Sequence, residues 1–415
     1  MRSTIYKEYT NYALVFILIA LSGFPFFYMD PLFRPLLLVS CVFAVFVFFK
    51  RGHKWGTFIW KYLLVFFLIV LGQFFVFSYF PLITIFGYLL RIILAFCIIK
   101  ITGKTFVDYY TKILYFFCVV SFFFYFPTIL FPDFEHFIVS NITPLFDLPQ
   151  DPNNMYSITP NVIIFNFNSE LNNPSSTLIR NSGPFWEPGA FAGFTIIALI
   201  FNIIKTHRLF NRVNLVFIIA ILSTLSTAGY IALSLLVFFY LLQNAKPVFK
   251  YLFIPIVIGV SFYAFYNLEF LNAKIDKNVQ SIGVSNTSNR FVSAITDIED
   301  VSEYWLFGRG FNVKTRYDTR DIIFEETHRN NGITGLLVNI GIIGIILYFF
   351  MMLKSFKQFC EVNKFTPYFA YSSMIVILTI GFAEGYFTKV LFIVLTMLFL
   401  VFNEKVAGTR NSKYE

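Results

Sequence analysis

The sequence predicts an all-α, polytopic transmembrane helical bundle of about twelve spans, with both ends on the cytoplasmic side (N-in/C-in) and two large loops on the opposite, periplasmic side. Three observations predict it. Hydrophobic residues make up 57% of the 415 and charged residues 13%, against about 25% charged in soluble domains. A water-facing fold cannot hide that much apolar surface, whereas a bilayer can. Apolar runs close to the ~20 residues needed to cross a hydrocarbon core recur along the chain. The basic residues sit in short clusters between those runs, the pattern that sets membrane orientation. The net charge of +9 is thus a topology signal, and no nucleic-acid partner is expected.

Taken in order, the runs place spans at 11–29, 35–49, 58–78, 81–100, 112–131, 187–204, 213–226, 229–243, 250–267, 331–353, 367–383 and 386–402. The pair inside 213–243 is short for two spans, and the break at Ser226-Thr227-Ala228-Gly229 suggests a tight turn or a re-entrant pair. The chain divides into N-terminal helices (1–131), a first outside loop (132–186), central helices (187–267), a second outside loop (268–330), and C-terminal helices with a tail (331–415). Each segment of cytoplasmic parity carries Lys or Arg, such as Lys50, Arg51 and Lys54, or Lys205, Arg208 and Arg212, while the short outside loops carry only Arg34. The first apolar run is long enough to span and no small-residue cleavage site follows it, so no cleavable leader is expected. Cys41, Cys97 and Cys118 lie in apolar runs and Cys360 in a basic loop, so no disulfide framework is expected.

The first outside loop, rich in Pro, Asn, Asp and Ser, reads as irregular with a short strand at 161–166. The second contains an amphipathic helix. Apolar residues at Phe291, Ala294, Ile295, Ile298, Val301 and Trp305 recur at helical spacing, with Asp297, Glu299, Asp300 and Glu303 on the other faces.

The residues that bear on chemistry cluster at the ends of these loops. In "RNSGPFWEPGAFAGF" (180–194), Gly183-Pro184 makes a turn, and Glu187-Pro188 opens a span where an acid suits the helix dipole. Gly189, Ala190, Ala192 and Gly193 permit close approach; a capped helix with a small-residue packing face is the plain alternative. In the second loop, Gly308 and Gly310 flank Arg309, where backbone amides could approach an anion. Arg290 lies at the start of the loop helix, where its charge and free amides could act on one phosphate. His328 precedes a span and is flanked by Arg329, Asn330 and Asn331; an interfacial polar cap is its plain reading. Arg91 lies near the middle of its span, where a charge faces a polar interior, either for structure or for a substrate path. No P-loop, His-Glu-x-x-His pair or Cys/His cluster is present in the sequence. Any chemistry is therefore expected to be metal-independent and to rest on Arg, His and Glu.

Three stretches in order resemble the Wzy-type O-antigen polymerases and the related O-antigen ligases. They are Arg180, Gly183, Phe185, Glu187, Pro188 and Gly189; then Arg290 with Leu306 to Phe311; then His328, Asn330, Asn331, Gly332, Gly341 and Gly344. The resemblance is strongest over 180–345, and the Ser/Thr turn carries Ala228-Gly229 where such chains often carry an Arg. The resemblance implies a surface-polysaccharide polymerase of the bacterial inner membrane with its active site on the periplasmic face. It would move the growing glycan from undecaprenyl diphosphate onto the non-reducing-end sugar of a new lipid-linked repeat unit. Its donor and acceptor would be undecaprenyl-diphosphate-linked oligosaccharides, its partner a chain-length regulator protein, and no cofactor or metal is implied. Arg180, Arg290 and Arg309 would hold the diphosphate, His328 or Glu187 would take the acceptor proton, and Arg91, Gly189 and Gly193 would border the substrate path. A ligase using the same donor is the nearest alternative, and a lipid-linked oligosaccharide flippase is the alternative of another class.

Overall fold

The computed structural model describes residues 2–28, 32–146, 160–168, 179–244, 290–316, 329 and 331–402. In chain order the helices are α1 (Arg2–Gly23), α2 (Pro25–Tyr28), α3 (Phe33–Lys50), α4 (Thr57–Phe77), α5 (Leu82–Thr102), α6 (Phe106–Leu130), α7 (Pro132–Asn141), α8 (Pro188–Thr206), α9 (Arg212–Ser223) and α10 (Thr227–Asn244). After them come α11 (Arg290–Val301), α12 (Val313–Arg316), α13 (Gly332–Val362), α14 (Tyr368–Ala383), α15 (Val390–Leu395) and α16 (Phe399–Phe402). Two short strands, β1 (Phe167–Asn168) and β2 (Arg180–Asn181), pair antiparallel with Phe167 opposite Asn181.

This is an all-α membrane protein. Among the described residues, six helical stretches are long and apolar enough to cross a membrane: Phe33–Lys50, Thr57–Phe77, Leu82–Leu130, Pro188–Thr206, Thr227–Asn244 and Gly332–Val362. The third is 49 residues long. Gly103, at φ 59°, interrupts it with a 3-10 turn and so separates α5 from α6. Exposed apolar rows mark surface suited to lipid, as on α4 with Trp60, Leu64, Phe67 and Phe75.

Several expected boundaries move. The expected 386–402 span is two short helices, α15 and α16, joined by a turn. The expected 331–353 span runs on to Val362, because Lys354 and Lys357 continue the helix after the apolar run ends. The start of the first outside loop is not irregular. Residues 132–141 form α7, with Pro132 at the first helical turn and Asp133 and Glu135 beside it, the residues that favour a helix start. The expected strand at 161–166 is a single bridge between Asn161 and Asn166, and the pairing proper lies one step on, in β1 and β2. The expected 250–267 span lies outside the described residues.

The chain forms two compact units: Met1–Ser40 with Thr102–Tyr240, and Cys41–Ile101 with Leu241–Glu415. In the first, α8 is the central helix, buried along nearly its whole length and packed on α6 and α9. Phe24 meets Phe117 and Phe185 edge-on. A side chain at Gly23 would strike the Phe185 ring at 2.4 Å, so glycine is required there. The twelve residues of α9 reach only about 18 Å, short of the ~30 Å hydrocarbon core. The space beyond its end is occupied by β2. Asn181 of β2 donates to Ser223 Oγ at the end of α9 (2.9 Å) and to Ser121 Oγ of α6 (3.0 Å). Ser121 lies nine residues before the last residue of α6, Leu130, so this strand dips about 13 Å inward from that helix end.

In the second unit α13 is the organising helix, with α4, α11, α14 and α16 packed on it. It is not straight: Gly341 sits at φ 66°, ψ −177°, and breaks the helical path.

Candidate functional site

Each unit carries a polar constellation drawn from the expected stretches. In the first unit, β2 and the turn after it are built around two buried asparagines. Asn166 donates to the carbonyls of Phe185 (3.0 Å) and Trp186 (3.1 Å). Asn181 accepts the Gly183 amide (2.9 Å). Gly183 holds φ 50° with its α-carbon against the Phe191 ring, which delivers the chain to Glu187. Arg180 donates from Nε to the carbonyl of Thr224 (3.1 Å), just beyond the C-terminal end of α9, where a cation meets the negative end of the helix dipole. Glu187 is the N-cap of α8 and makes no side-chain cap bond. Gly189 is half-buried and Gly193 buried. Between them Ala192 faces Gly229 of α10, so this part of the small-residue row is a helix-packing surface.

The second unit holds Arg290, Arg309 and Arg91. Arg290 opens α11 and forks onto the end of α14, donating to the carbonyl of Ala383 and to Glu384 Oε1 (both 2.5 Å). Two turns on, the same helix presents Asp297, which is fully buried. This corrects the expectation that Asp297 lies on an outer face of the loop helix. The buried side of α11 carries Ser293, Ala294, Asp297 and Val301, while Ile295 and Ile298 are more than half exposed. A buried carboxylate must be satisfied, and this one is. Thr334 donates to Oδ2 (2.7 Å), and Arg316 and Arg329 reach Oδ1 at 3.4 Å each. Arg329 also pairs with Asp300, and Arg316 with Asn339. Burial pushes the Asp297 carboxyl up from its ordinary range, and the Arg316 charge, the Thr334 hydroxyl and Arg329 pull it back. Asn331 caps α13 by accepting the amides of Ile333 (3.0 Å) and Thr334 (3.1 Å). Gly332 lies so close to the Glu384 carbonyl that a side chain there would meet it at 2.2 Å. The ends of α11, α13 and α14 are thus tied in one polar knot. His328, expected as a proton acceptor, lies outside the described residues.

The segment Trp305–Phe311 docks on the kink of α13. Gly341 frees the amides of the next turn from helical partners, and the loop supplies carbonyls in their place: Trp305 O accepts from Ile342 (2.8 Å) and Leu306 O from Ile343 (3.4 Å). Arg309 N donates in return to Val338 O (2.6 Å). Gln73 of α4 clamps the junction, donating to the carbonyls of Phe307 (2.7 Å) and Asn339 (2.9 Å). Gly308 and Gly310 have φ 70° and 88°, and a side chain at Gly308 would meet Val338 O at 2.4 Å. The amides of Gly308 and Arg309 are therefore engaged by Tyr304 O and Val338 O; the expected backbone anion nest corresponds to a loop-docking motif. The Arg309 guanidinium bonds the carbonyls of Thr315 (2.8 Å) and Asp300 (3.3 Å) over the rings of Tyr304 and Phe77.

Beside this junction lies a cavity of about 270 Å³, lined by α4, α5 and α13 through residues that include Lys61, Ile69, Ile92, Ile340, Leu347 and Phe311. Its wall is almost entirely apolar. In its lining Phe311 stacks on Tyr88 (3.6 Å between ring centres), and Arg91 lies 4.5 Å from the Tyr88 ring, donating to Thr388 O (3.1 Å). From Lys61 to Ile69 and from Leu336 to Met351 the lining follows the helix axes for several turns.

The sequence pattern did not single out Arg316 or Gln73, placed Asp297 on an outer face, and showed Glu384 only as a charge near the last span. One signal was available: Arg290, Ser293, Asp297 and Asp300 recur at helical spacing, a polar stripe that adjoins the apolar one at Ala294 and Val301.

Comparison with protein-family models, with curated proteins and with solved structures finds no match to this chain.

Proposed function

We propose that the chain is a metal-independent glycosyltransferase of bacterial surface-polysaccharide assembly, a polymerase of the Wzy type acting on undecaprenyl-diphosphate-linked repeat units at the periplasmic face of the inner membrane. The observation that carries this reading is the elongated apolar cavity in the second unit, whose lining includes Phe311 of the arginine-bearing loop. A polyprenyl carrier needs an apolar channel running along helices with cationic groups near it, and this unit has both. Arg290 supports the reading as a diphosphate partner because it is partly exposed and held at a helix start.

In the proposed reaction an acceptor hydroxyl oxygen forms a bond to the anomeric carbon of the donor glycan. The bond from that carbon to the diphosphate oxygen breaks, and polyprenyl diphosphate leaves with both electrons. Charge gathers on the leaving diphosphate, and preorganised guanidiniums lower the barrier by stabilising it. The hydroxyl proton passes to a base, for which Glu187 and His328 are the proposed groups. A ligase would use the same donor chemistry.

The test is deletion of the gene followed by gel analysis of the surface polysaccharide, with variants returned on a plasmid. A single repeat unit on the final acceptor supports polymerase; full-length polymer left on its carrier means ligase; unpolymerised units retained inside mean flippase. Arg180→Ala and Arg290→Ala proteins that insert normally are expected to abolish long chains, and normal chain length in both would overturn the assignment of those arginines.

A further inference from the structure

A second polar recess lies in the first unit, at the turn between α8 and α9. His207 closes α8 in the left-handed conformation at φ 59°. The turn that follows is held by side chains rather than by regular backbone bonding. Asn214, fully buried, donates to the carbonyls of Arg208 (2.8 Å) and Leu209 (3.0 Å), and accepts from Asn202 Nδ2 (2.7 Å). Asn211 caps the Asn214 amide (2.9 Å) and donates to Thr206 Oγ1 (3.2 Å). Tyr240 donates to His207 O (2.9 Å). A surface turn needs none of this to exist; the bonds fix one backbone shape.

What that shape presents is a concave surface of about 430 Å³, lined by Asn202, Thr206, Arg208, Asn211, Arg212 and Val213. Arg208 and Arg212 are exposed, and among the described residues neither guanidinium has a hydrogen-bond or ion-pair partner. The contrast with neighbouring Lys205 is direct, since that cation is paired with Asp108. Between the two arginines Phe210 is 66% exposed, and Leu215, Ile219 and Leu222 continue an exposed apolar stripe along α9. Two forked cations over a recess, at the end of a lipid-facing stripe and flanked by a protruding aromatic ring, match a phosphate group at headgroup level. The charge pattern of the sequence assigns this turn to the cytoplasmic leaflet.

We propose that the α8–α9 turn is a binding site for a phosphate group, supplied by an anionic phospholipid of the cytoplasmic leaflet. It is independent of the proposed glycosyl transfer, since it uses none of the groups assigned to that reaction.

The test uses the full-length protein in nanodiscs, with phosphatidylglycerol and phosphatidylcholine competing, and bound lipid read by native mass spectrometry. Wild-type protein is expected to retain phosphatidylglycerol preferentially. Arg208→Gln with Arg212→Gln is expected to reduce that preference at least about fivefold, by removing both charge-assisted contacts to the phosphate. Lys54→Gln with Lys364→Gln, removing the same charge from two other basic loops, is expected to leave it unchanged. An equal fall in both pairs, or none in the arginine pair, overturns the proposal. If phosphatidylglycerol shows no preference while inorganic phosphate binds wild type and not the arginine variant, the site stands with a soluble ligand and the lipid assignment falls. Both positions are exposed, so the single variants carry the same test should the double variant fail to insert.

Discussion

At Asp297 burial and pairing act in opposition. A fully enclosed carboxylate is costly unless hydrogen-bonded and neutralised, and here two guanidiniums and a hydroxyl meet it. Breaking one member of such a group strands the others. Asp297→Ala is expected to destabilise the protein by about 3 kcal/mol, measured by thermal unfolding in detergent. Arg316→Ala should cost less, because Arg316 is partly exposed and can reach water. The double variant should fall short of the sum by at least about 0.5 kcal/mol; an additive pair would show that Asp297 and Arg316 do not share one network. Arg329 was legible in the sequence as a cation at a loop end beside His328, whereas Arg316 was not. Nor was the place of their partner Asp297, because hydropathy periodicity assigns the apolar stripe to the interior. Beside a membrane, Ile295, Ile298 and Trp305 have no need to turn inward, and the face that does is the one whose polar groups can be mutually satisfied.

Among the elements, α13 and its docked loop show how far pattern reading carries. The Gly-rich character of this helix was visible, but its geometric meaning was not. Gly341 holds φ 66° with its α-carbon against Leu306 O, where a side chain would come within 2.3 Å. Strain of ~1–3 kcal/mol attends such a backbone for any other residue. Gly341→Ala is therefore expected to undock residues 305–311, which limited proteolysis at that loop would detect as faster cleavage together with a lower melting temperature. Unchanged cleavage would show that the loop does not depend on the kink. The neighbouring cavity makes a separable prediction. Leu347→Trp adds bulk to its wall without touching the loop's hydrogen bonds. Polymer length is expected to fall while insertion and melting stay near wild type; full-length polymer would remove the cavity from the substrate path. Helix ends were the least legible feature. An apolar run stops where the lipid stops, whereas a helix such as α13 continues through Lys354 and Lys357 as long as its backbone bonds are kept.

For the whole molecule, composition and charge clusters were enough to place it in a membrane, because both are read by the bilayer as a solvent and not by any particular partner side chain. The number of crossings was less legible. Apolar runs count opportunities to span, while α9, α14 and α15 with α16 are shorter than a full crossing. Reporter fusions after Phe402 and within 268–289 are expected to report opposite sides of the membrane, as the basic loops require; the same side for both would reverse the orientation of one half. The strand carrying Arg180 and Asn181 has a last consequence. It meets α6 and the end of short α9 well inside the level of the longer helix ends. Asn181 and Thr224 are buried and hydrogen-bonded within the protein, so the mismatch falls on the exposed side of short α9, at Leu215, Ile219 and Leu222, where the surrounding lipid is expected to thin. Stability in reconstituted vesicles should then depend on acyl-chain length, greatest in short-chain lipid and falling as the membrane thickens, with the protein acting as a local gauge of its host's thickness.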